Sequence, residues 1–276
     1  MNLLLWQVDA FALKALGGNP AAVIPLEEWL PDALMQAIAG ENNLSETAFF
    51  VRMAPGLYDL RWFTPTAEIE LCGHATLASA WVVFDALDPS LKDVRFQTKS
   101  GILVVERDEG GMNRLSLPAD SVKPFAARDG FAEELAKHLG VAAPASLESG
   151  RYLMGVWNED ASVRAITLGG GLEGFLRAHG FWGFIATAPG KEKLSNGKPF
   201  DFVSRFFAPA KGVPEDPVTG SAHCALVPYW AKRLGRNDLH AFQASARGGE
   251  LFCRADGARV ILAGPCALYL RGTITL

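Results

Sequence analysis

The sequence lacks the features that mark several classes of protein. Its four cysteines, at positions 72, 224, 253 and 266, do not have the C-x-x-C spacing of zinc ribbons and redox pairs. Lysines and arginines number 26 against 30 aspartates and glutamates, and the net charge of −4 provides no basic surface for nucleic acid or anionic lipid. These shortages argue against a nucleic-acid-binding protein and against a metal site.

Long apolar runs and nucleotide motifs are missing as well. The first residues have no positively charged region, and Asp9 interrupts their apolar run, so we expect neither a signal peptide nor a membrane span. Neither the glycine pair at 110–111 nor the triplet at 169–171 fits the G-x-G-x-x-G spacing of a dinucleotide site. The sequence therefore predicts a cytoplasmic protein with no membrane partner and no nucleotide cofactor.

What the sequence does contain is one motif that occurs twice. Arg61-Trp62-Phe63-Thr64-Pro65 resembles Arg205-Phe206-Phe207-Ala208-Pro209, which lies 144 residues later. Each copy is followed by a glycine-containing loop, at 70–75 and at 215–222, that enters an apolar segment. With 276 residues, of which 49% are apolar and 20% charged, the chain is long enough for two medium domains. The self-similarity predicts two related halves.

The hydrophobic pattern predicts strands and helices in each half. Helices are expected at 31–43, 131–139 and 172–179, and after each of the two loops. Strands are expected at 3–11, 21–25, 44–51, 57–64, 94–98, 102–106, 114–117, 151–157, 163–168, 181–187, 202–207, 241–246, 251–255, 259–262 and 267–275. We predict an α+β protein of two pseudo-symmetric halves, each a curled, mostly antiparallel sheet around a central helix. The first half covers 1–118 and the second 119–266.

The two loops predict an anion site. A loop that enters a helix presents free backbone N–H groups and a partial positive charge, which suit a carboxylate. If the halves are related by a twofold axis, the loops at 72–76 and 219–223 face each other across a cleft and stabilise the charge that develops when a proton is removed beside a carboxylate. The alternative is that both loops are ordinary helix caps, with Thr219 and Ser221 as the capping residues.

Three polar residues are candidates for catalysis. Glu46 directly precedes a largely apolar segment, a setting that suits a general acid or base, although an exposed position at a strand start is the alternative. Asp216 stands before Pro217, where it is either a ligand or a turn-starting residue. His74 lies in a Gly-His-Ala sequence, and a structural turn does not require an imidazole there.

The cysteines allow two further interpretations of the loops. Cys72 and His74 suggest thiol–imidazole chemistry, but no third member of a triad is identifiable. With His223 and Cys224 they suggest a Cys2His2 zinc site, whose spacing matches no known metal motif. We therefore expect no metal.

Several segments together resemble the PhzF-like family of phenazine biosynthesis. The matches run in order over nearly the whole chain, and the resemblance implies the diaminopimelate-epimerase fold, in which a final strand, 267–276, pairs with the first half. The matching segments are Gln7-Val8-Asp9-Ala10-Phe11, Gly18-Asn19-Pro20-Ala21-Ala22-Val23, Ser45-Glu46-Thr47-Ala48-Phe49, Arg61-Trp62-Phe63-Thr64-Pro65, Cys72-Gly73-His74-Ala75-Thr76 and Glu215-Asp216-Pro217-Val218-Thr219-Gly220-Ser221-Ala222.

The resemblance also implies residue roles. Glu46 matches the proton-transferring glutamate of the family, and His74 and Asp216 match polar groups of its active site. Cys72 aligns with the first of the two acid/base cysteines of the diaminopimelate epimerases, but Thr219 replaces the second, so Cys72 is at most a second acid or base. The expected substrate-binding residues are Asn19, Gly73, Thr219, Gly220 and Ser221.

The function implied is a cofactor-independent isomerase acting on a small carboxylate. The best-known member of the family isomerises 2,3-dihydro-3-hydroxyanthranilate by moving a proton and a double bond without a cofactor, and the resemblance implies a homodimer. Two alternatives stay open. One is an amino-acid racemase or epimerase that uses Cys72 with Glu46, and the other is a non-catalytic protein that binds a small molecule.

Overall fold

A computed structural model of the chain describes residues 1–191 and 199–276 and divides into two compact units. Unit 1 contains residues 1–117 and 261–276, and unit 2 contains residues 118–260. Both combine β-sheet with α-helices, which confirms the α+β class. Within the described ranges, no helix is long and apolar enough to cross a membrane.

The elements follow one another along the chain. Unit 1 begins with β1 (Asn2–Ala10), β2 (Asn19–Leu26), α1 (Asp32–Asn42), β3 (Glu46–Ala54), β4 (Leu57–Phe63), β5 (Glu68–Ile69), α2 (Gly73–Val82), β6 (Asp93–Thr98), β7 (Gly101–Arg107) and β8 (Asn113–Pro118). Unit 2 contains β9 (Lys123–Pro124), α3 (Phe131–Leu139), β10 (Ser146–Ser149), β11 (Leu153–Val156), α4 (Asp160–Arg164), α5 (Leu172–Ala178), β12 (Phe184–Pro189), β13 (Phe202–Ala208), β14 (Val213–Asp216), α6 (Gly220–Leu234), β15 (Asp238–Gln243) and β16 (Gly249–Asp256). The chain ends with β17 (Arg259–Gly264) and β18 (Cys266–Thr275).

Helix α2 is buried on nearly all sides in unit 1. Residues 74–80 and Val82 are all buried, and the helix packs against β1, β2 and β3. Its two hydroxyl side chains bond within the helix, from Thr76 Oγ1 to the Cys72 carbonyl at 2.5 Å and from Ser79 Oγ to the Ala75 carbonyl at 2.7 Å. No polar group of these side chains is therefore left unpaired in the core. Helix α1 packs with residues of β1 to β4 in a separate hydrophobic cluster of unit 1. Its buried members are Leu5, Ala22, Ile24, Leu26, Met35, Ile38, Ala39, Phe49 and Phe63.

Helix α6 occupies the corresponding place in the sequence of unit 2, and it contains a proline. Pro228 has no N–H to donate to the carbonyl of Cys224, four residues earlier. The backbone N–H of Asp120 bonds that carbonyl instead, at 2.9 Å. The helix therefore tolerates the proline because a neighbouring segment replaces the missing hydrogen bond.

The same series of strand pairings occurs in each unit. In unit 1, β2 and β3 are parallel, β3 and β4 antiparallel, β4 and β5 antiparallel, β4 and β6 parallel, and β6 and β7 antiparallel. Unit 2 repeats this order: β11 and β12 are parallel, β12 and β13 antiparallel, β13 and β14 antiparallel, β13 and β15 parallel, and β15 and β16 antiparallel. In unit 1, β1 lies between β2 and the final strand β18 and is antiparallel to both.

Ion pairs and hydrogen bonds repeat with the strands. Arg61 forms a two-point contact with Glu68 at 2.8 and 3.0 Å, and Arg205 forms one with Glu215 at 2.7 and 2.9 Å. In each unit, a serine that follows β6 or β15 also donates to a backbone carbonyl. The accepting residue lies two positions before the N-cap of the central helix, which is Cys72 for α2 and Thr219 for α6. These bonds run from Ser100 Oγ to Glu70 and from Ser245 Oγ to Pro217, each at 2.8 Å.

One expected strand, at 163–168, is wrong, because α4 covers Asp160–Arg164 and no strand follows it before α5. The buried residues Val163 and Ile166 are three positions apart, which is a helical spacing and not a strand spacing. The guanidinium of Arg205 lies close to the carbonyls of Val163 and Ile166, at 3.3 and 2.6 Å, and satisfies them in place of a sheet partner. The helix at 131–139 and the hairpin of β6 and β7 are confirmed.

Candidate active site

Glu46 and His74 meet in unit 1. Glu46 is the first residue of β3, and His74 lies in the first turn of α2. Oε2 of Glu46 lies 3.0 Å from Nε2 of His74, and the two groups form an ion pair when the imidazole is protonated. The His74 side chain is 5% exposed and that of Glu46 is 15% exposed. The carboxylate therefore retains limited access to solvent beside a buried imidazole.

The other ring nitrogen of His74 faces Asn19 and Cys72. Nδ1 lies 3.2 Å from Nδ2 of Asn19 and 3.4 Å from Sγ of Cys72. Because an amide nitrogen can only donate, a neutral imidazole that accepts at Nδ1 carries its proton on Nε2. The imidazolium also has a proton there. In both states Nε2 carries a proton and lies 3.0 Å from Oε2 of Glu46. The imidazolium also carries a proton on Nδ1, so in that state Asn19 presents its amide oxygen to the ring.

A glycine turn delivers Asn19 to this position. Asn19 is completely buried at the start of β2, directly after Gly18. The φ angle of Gly18 is +58°, and a Cβ there would lie 2.1 Å from the carbonyl oxygen of Ala10, so no larger residue fits. The backbone N–H of Leu16, in the same turn, donates to Oδ2 of the buried Asp9 at 2.7 Å. Asn19 thus contacts the imidazole from a rigid, buried position.

The surroundings of the cluster shift two titrating groups. Burial alone lowers the pKa of His74, but the Cys72 sulfur and the Glu46 carboxylate raise it, and the result is well above the usual 6.5. Burial, together with the Glu46 carboxylate, raises the pKa of Cys72 to about 11 against the opposing effect of His74. Cys72 is therefore a thiol at neutral pH, and Glu46 is the better placed base.

The same three side chains have a spacing that a divalent cation could bridge. One ligand atom from each of Glu46, Cys72 and His74 lies within 4.8 Å of the others. Carboxylate, thiolate and imidazole are all ligands of zinc. Binding would occupy the carboxylate of Glu46 and would require loss of the Cys72 thiol proton.

In unit 2, Asp216 and Thr219 form a closed turn with Gln243. Oγ1 of Thr219 donates to Oδ2 of Asp216 at 2.5 Å, and the backbone N–H of Thr219 donates to Oε1 of Gln243 at 2.9 Å. Thr219 is 6% exposed and both of its donors are occupied. The alternative that the Thr219 side chain caps α6 is wrong, because its hydroxyl bonds Asp216 and makes no cap hydrogen bond.

The first turn of α6 also contains Gly220 and Ser221. Gly220 is buried, and Ser221 is half-buried with its Oγ 2.8 Å from the hydroxyl of Tyr152. Tyr152 is 2% exposed and packs edge-on against Trp182 and Phe206. An aromatic cluster thus fixes the Ser221 hydroxyl. In unit 1, Gly73 has the matching place as the first residue of α2.

Sequence reasoning missed Gln243 and Tyr152. Gln243 is 24 residues from Thr219, and Tyr152 is 69 residues from Ser221. Each lies in or beside an apolar strand, and the only available signal was a polar group at a position that the strand pattern buries. A buried amide or phenol needs a hydrogen-bond partner, so such positions mark specific contacts.

The fold defines an α+β protein in which a partly exposed glutamate lies 3.0 Å from a buried histidine. Residues 8–148 and 185–272 match the family of phenazine biosynthesis-like proteins. The chain is 47% identical over 276 residues to an uncharacterised isomerase of Pseudomonas aeruginosa, with full coverage of both chains. The crystal structure of a PhzF-family phenazine biosynthesis protein from Enterococcus faecalis matches with a TM-score of 0.90 and 42% identity over the whole of both chains.

The chain therefore belongs to the PhzF-like, or phenazine biosynthesis-like, family. A more distant structure, of a predicted epimerase from Pseudomonas aeruginosa, has a TM-score of 0.75 at 20% identity and covers all of both chains. At that identity the likeness concerns the fold alone. It agrees with the epimerase-like architecture that the sequence motifs implied.

Proposed function

We propose that the chain is a cofactor-independent isomerase that moves a proton on a small carboxylate, with Glu46 as the acid and base. The observation that supports this best is the Glu46 carboxylate, partly accessible and 3.0 Å from the buried Nε2 of His74. Family membership agrees, since the relative from Pseudomonas aeruginosa is named an isomerase. Dihydro-hydroxyanthranilate-like carboxylates are the first substrates to test.

In the proposed reaction, Glu46 takes a proton from a carbon of the substrate, and the electron pair of the broken C–H bond shifts the neighbouring double bond. The protonated Glu46 then returns the proton to another carbon of the conjugated system, so that product and substrate are isomers and no oxidant is consumed. A protonated His74, whose Nε2 lies 3.0 Å from Oε2 of Glu46, stabilises the Glu46 carboxylate by its charge before the transfer. Asn19 acts as a positioning residue for His74 in this proposal.

The remaining expected site residues are proposed as substrate contacts. The N–H groups around Gly73 and Gly220 would hold a carboxylate or the developing enolate, because helix N-termini favour negative charge. Asp216 and Ser221 would orient an amine or hydroxyl of the substrate. For Thr219, whose donors are both occupied, we propose a role in holding Asp216.

Solvent exchange tests the proposal without knowledge of the product. Small amino and hydroxy carboxylates are incubated with the protein in deuterium oxide, and loss of each C–H signal is followed by NMR. The wild type should exchange a proton of at least one compound, and Glu46→Gln should lower that rate by at least about 100-fold. Glu41→Gln, at an exposed position of α1, is the matched control and should exchange normally. Normal exchange by Glu46→Gln would show that another group is the base.

A racemase or epimerase that uses Cys72 with Glu46 is the second candidate. It is favoured by the position of Cys72 Sγ, 3.4 Å from Nδ1 of His74 and in the same cluster as Glu46. A two-base enzyme requires the thiol to donate or accept a proton in every turnover. The thiol pKa of about 11 permits donation but makes the thiolate form scarce at neutral pH.

We also propose, from the family resemblance, that the protein is a cytoplasmic homodimer. Sedimentation equilibrium at micromolar concentration should give twice the chain mass of 29.7 kDa. A single species at 29.7 kDa would refute the dimer and leave the catalytic proposal unaffected.

A further inference from the structure

A completely buried glutamine ends strand β15 of unit 2. Oε1 of Gln243 accepts the backbone N–H of Thr219 at 2.9 Å, and Nε2 donates to the carbonyl of Asp216 at 2.7 Å. Nε2 also lies 3.2 Å from Oγ1 of Thr219. One side chain therefore bonds both ends of the turn that leads into α6.

The hydroxyl of Thr219 extends this set of bonds to the carboxylate of Asp216. Because Thr219 Oγ1 donates its hydrogen to Oδ2 of Asp216, the hydroxyl oxygen remains as an acceptor for Nε2 of Gln243. The directions of all the bonds around the turn are thereby fixed. Rotation of the Asp216 side chain would break its bond from the Thr219 hydroxyl. The nearly buried hydroxyl would then have no acceptor, which is unfavourable.

The matching strand of unit 1 ends differently. Thr98 is the last residue of β6, as Gln243 is of β15, and both strands pair in parallel with the preceding long strand of their unit. The hydroxyl of Thr98 donates to the carbonyl of Gly101 at 2.6 Å. By contrast, the serines two residues later, Ser100 and Ser245, form the same bond in each unit. The glutamine is therefore specific to the unit that contains Asp216 and is not a general requirement of this strand arrangement.

We propose that Gln243 is a positioning residue of the active site, which holds the Asp216 carboxylate and the first turn of α6 in the arrangement that binds substrate. This rests on the proposed function for the role of Asp216. The side chain acts through Asp216 and Thr219, since it is itself completely buried. A merely structural glutamine would stabilise unit 2 without any selective effect on the turn.

Two variants separate these roles. Gln243→Leu removes the three hydrogen bonds at similar volume. Thr187→Val is the matched control, because Thr187 is equally buried and its Oγ1 accepts from Nε1 of Trp230 in α6 at 3.0 Å, but it does not bond the turn. Amide hydrogen exchange is measured by NMR on the full chain. The Thr219 amide should exchange at least 10-fold faster in Gln243→Leu than in Thr187→Val, after each rate is corrected for the measured free energy of unfolding. Equal protection in the two variants would overturn the proposal.

Catalysis provides the second measurement. The substrate is a carboxylate whose C–H the wild type exchanges in deuterium oxide. At saturating substrate, Gln243→Leu should lower the C–H exchange rate at least 10-fold, and Thr187→Val should lower it less than twofold. Similar losses in both would show that Gln243 is only structural. If the wild type exchanges the C–H of no carboxylate tested, the proposed function fails. The exchange rate of the Thr219 amide hydrogen still decides whether Gln243 holds the turn.

Gln243→Glu is used if the leucine variant does not fold. It keeps the size of the side chain and an acceptor for the Thr219 N–H, but as a carboxylate it cannot donate to the carbonyl of Asp216. The Thr219 amide should then stay protected within about threefold of the wild type while the C–H exchange rate falls at least 10-fold. A C–H exchange rate within twofold of the wild type would overturn the proposal. If the wild type shows no C–H exchange, an unchanged NMR shift of the Thr219 amide in Gln243→Glu would overturn it instead.

Discussion

Nε2 of His74 lies 3.0 Å from Oε2 of Glu46, and this contact couples the charges of two side chains that are 28 positions apart in the sequence. The coupling follows from the fold of unit 1. β3 begins at Glu46, and α2, which packs across β2 and β3, begins one residue before His74. The base and its partner are thus placed by secondary structure and not by a flexible loop, which favours a fixed geometry.

The coupling predicts how the imidazole titrates. The Glu46 carboxylate helps raise the pKa of His74 above its usual value, so Glu46→Gln should lower the pKa of His74. Imidazole nitrogen shifts, followed by NMR over pH, measure that pKa in the wild type and in the variant. Because the folded pKa is above the unfolded 6.5, the contact stabilises the protein fully below pH 6.5 and its contribution is lost as pH rises through the folded value. An equal His74 pKa in the wild type and in Glu46→Gln would contradict the prediction.

The role of Cys72 is decided by its substitution. Cys72→Ser should retain at least about one-tenth of the wild-type exchange rate, because a thiol with a pKa of about 11 is not the favoured base. Iodoacetamide should modify the buried Cys72 slowly at pH 7.5, at a rate comparable with that of the buried Cys224, whose pKa is raised to about 12. A loss of 100-fold or more in Cys72→Ser would instead support the racemase or epimerase.

Metal removal checks that the reaction needs no cation. Exhaustive dialysis against EDTA should leave the C–H exchange rate unchanged, since Glu46 acts without a metal in the proposal. Added Zn²⁺ should inhibit, because Glu46, Cys72 and His74 offer ligand atoms within 4.8 Å of one another. Cys72→Ser should weaken that inhibition, since serine is a poorer zinc ligand. Loss of exchange after EDTA, restored by a metal, would refute the cofactor-independent mechanism.

Local patterns in the sequence predicted much of the fold. The helix at 131–139 has the expected bounds, and β2 includes the strand expected at 21–25. The residues from Val163 to Leu168 were misjudged because Arg205, which satisfies two carbonyls there, is about 40 residues away. Such a partner cannot be inferred from local periodicity.

The site shows the same division between local and distant information. Cys72 and His74 are two residues apart, and their contact was open to inspection in the sequence. The contact of His74 with Asn19 depends on strand pairing and on a turn that admits only glycine. The bonds from Gln243 to the start of α6 depend on where β15 ends against β13. Spacing alone does not supply these distances, because they come from long-range packing.

Arg205 should contribute more to stability than a surface arginine of the same unit. Its side chain is 11% exposed and bonds Glu215 at two points as well as the carbonyls of Val163 and Ile166. Arg205→Lys should lower the free energy of unfolding by about 2 kcal/mol, because lysine cannot make these bonds together. Arg254→Lys, at an exposed ion pair with Asp238, should cost less than about 0.5 kcal/mol. Urea unfolding followed by tryptophan fluorescence measures both, and equal losses would contradict the prediction.

His223 should make unit 2 sensitive to acid. It is completely buried in α6, its Nδ1 donates to the Thr219 carbonyl at 2.8 Å, and burial lowers its pKa to about 4. The unfolded chain, with a histidine pKa near 6.5, binds the proton first as pH falls. Stability should therefore decrease from pH 6.5 to pH 4, by about 3 kcal/mol in total, and this loss should level off below pH 4.

Two variants isolate this effect. His223→Phe removes the titrating group from the core, so the free energy of unfolding should lose most of its dependence on pH between 6.5 and 4. The variant should be less stable at pH 7, because the Thr219 carbonyl loses the imidazole donor and keeps only the 3.3 Å bond from the backbone N–H of residue 223. His138→Gln, at a half-buried position of α3, should keep the wild-type dependence. Urea unfolding at a series of pH values gives the comparison. If His223→Phe and the wild type lose stability in parallel, the acid sensitivity arises from carboxylates, and His223 is not its source.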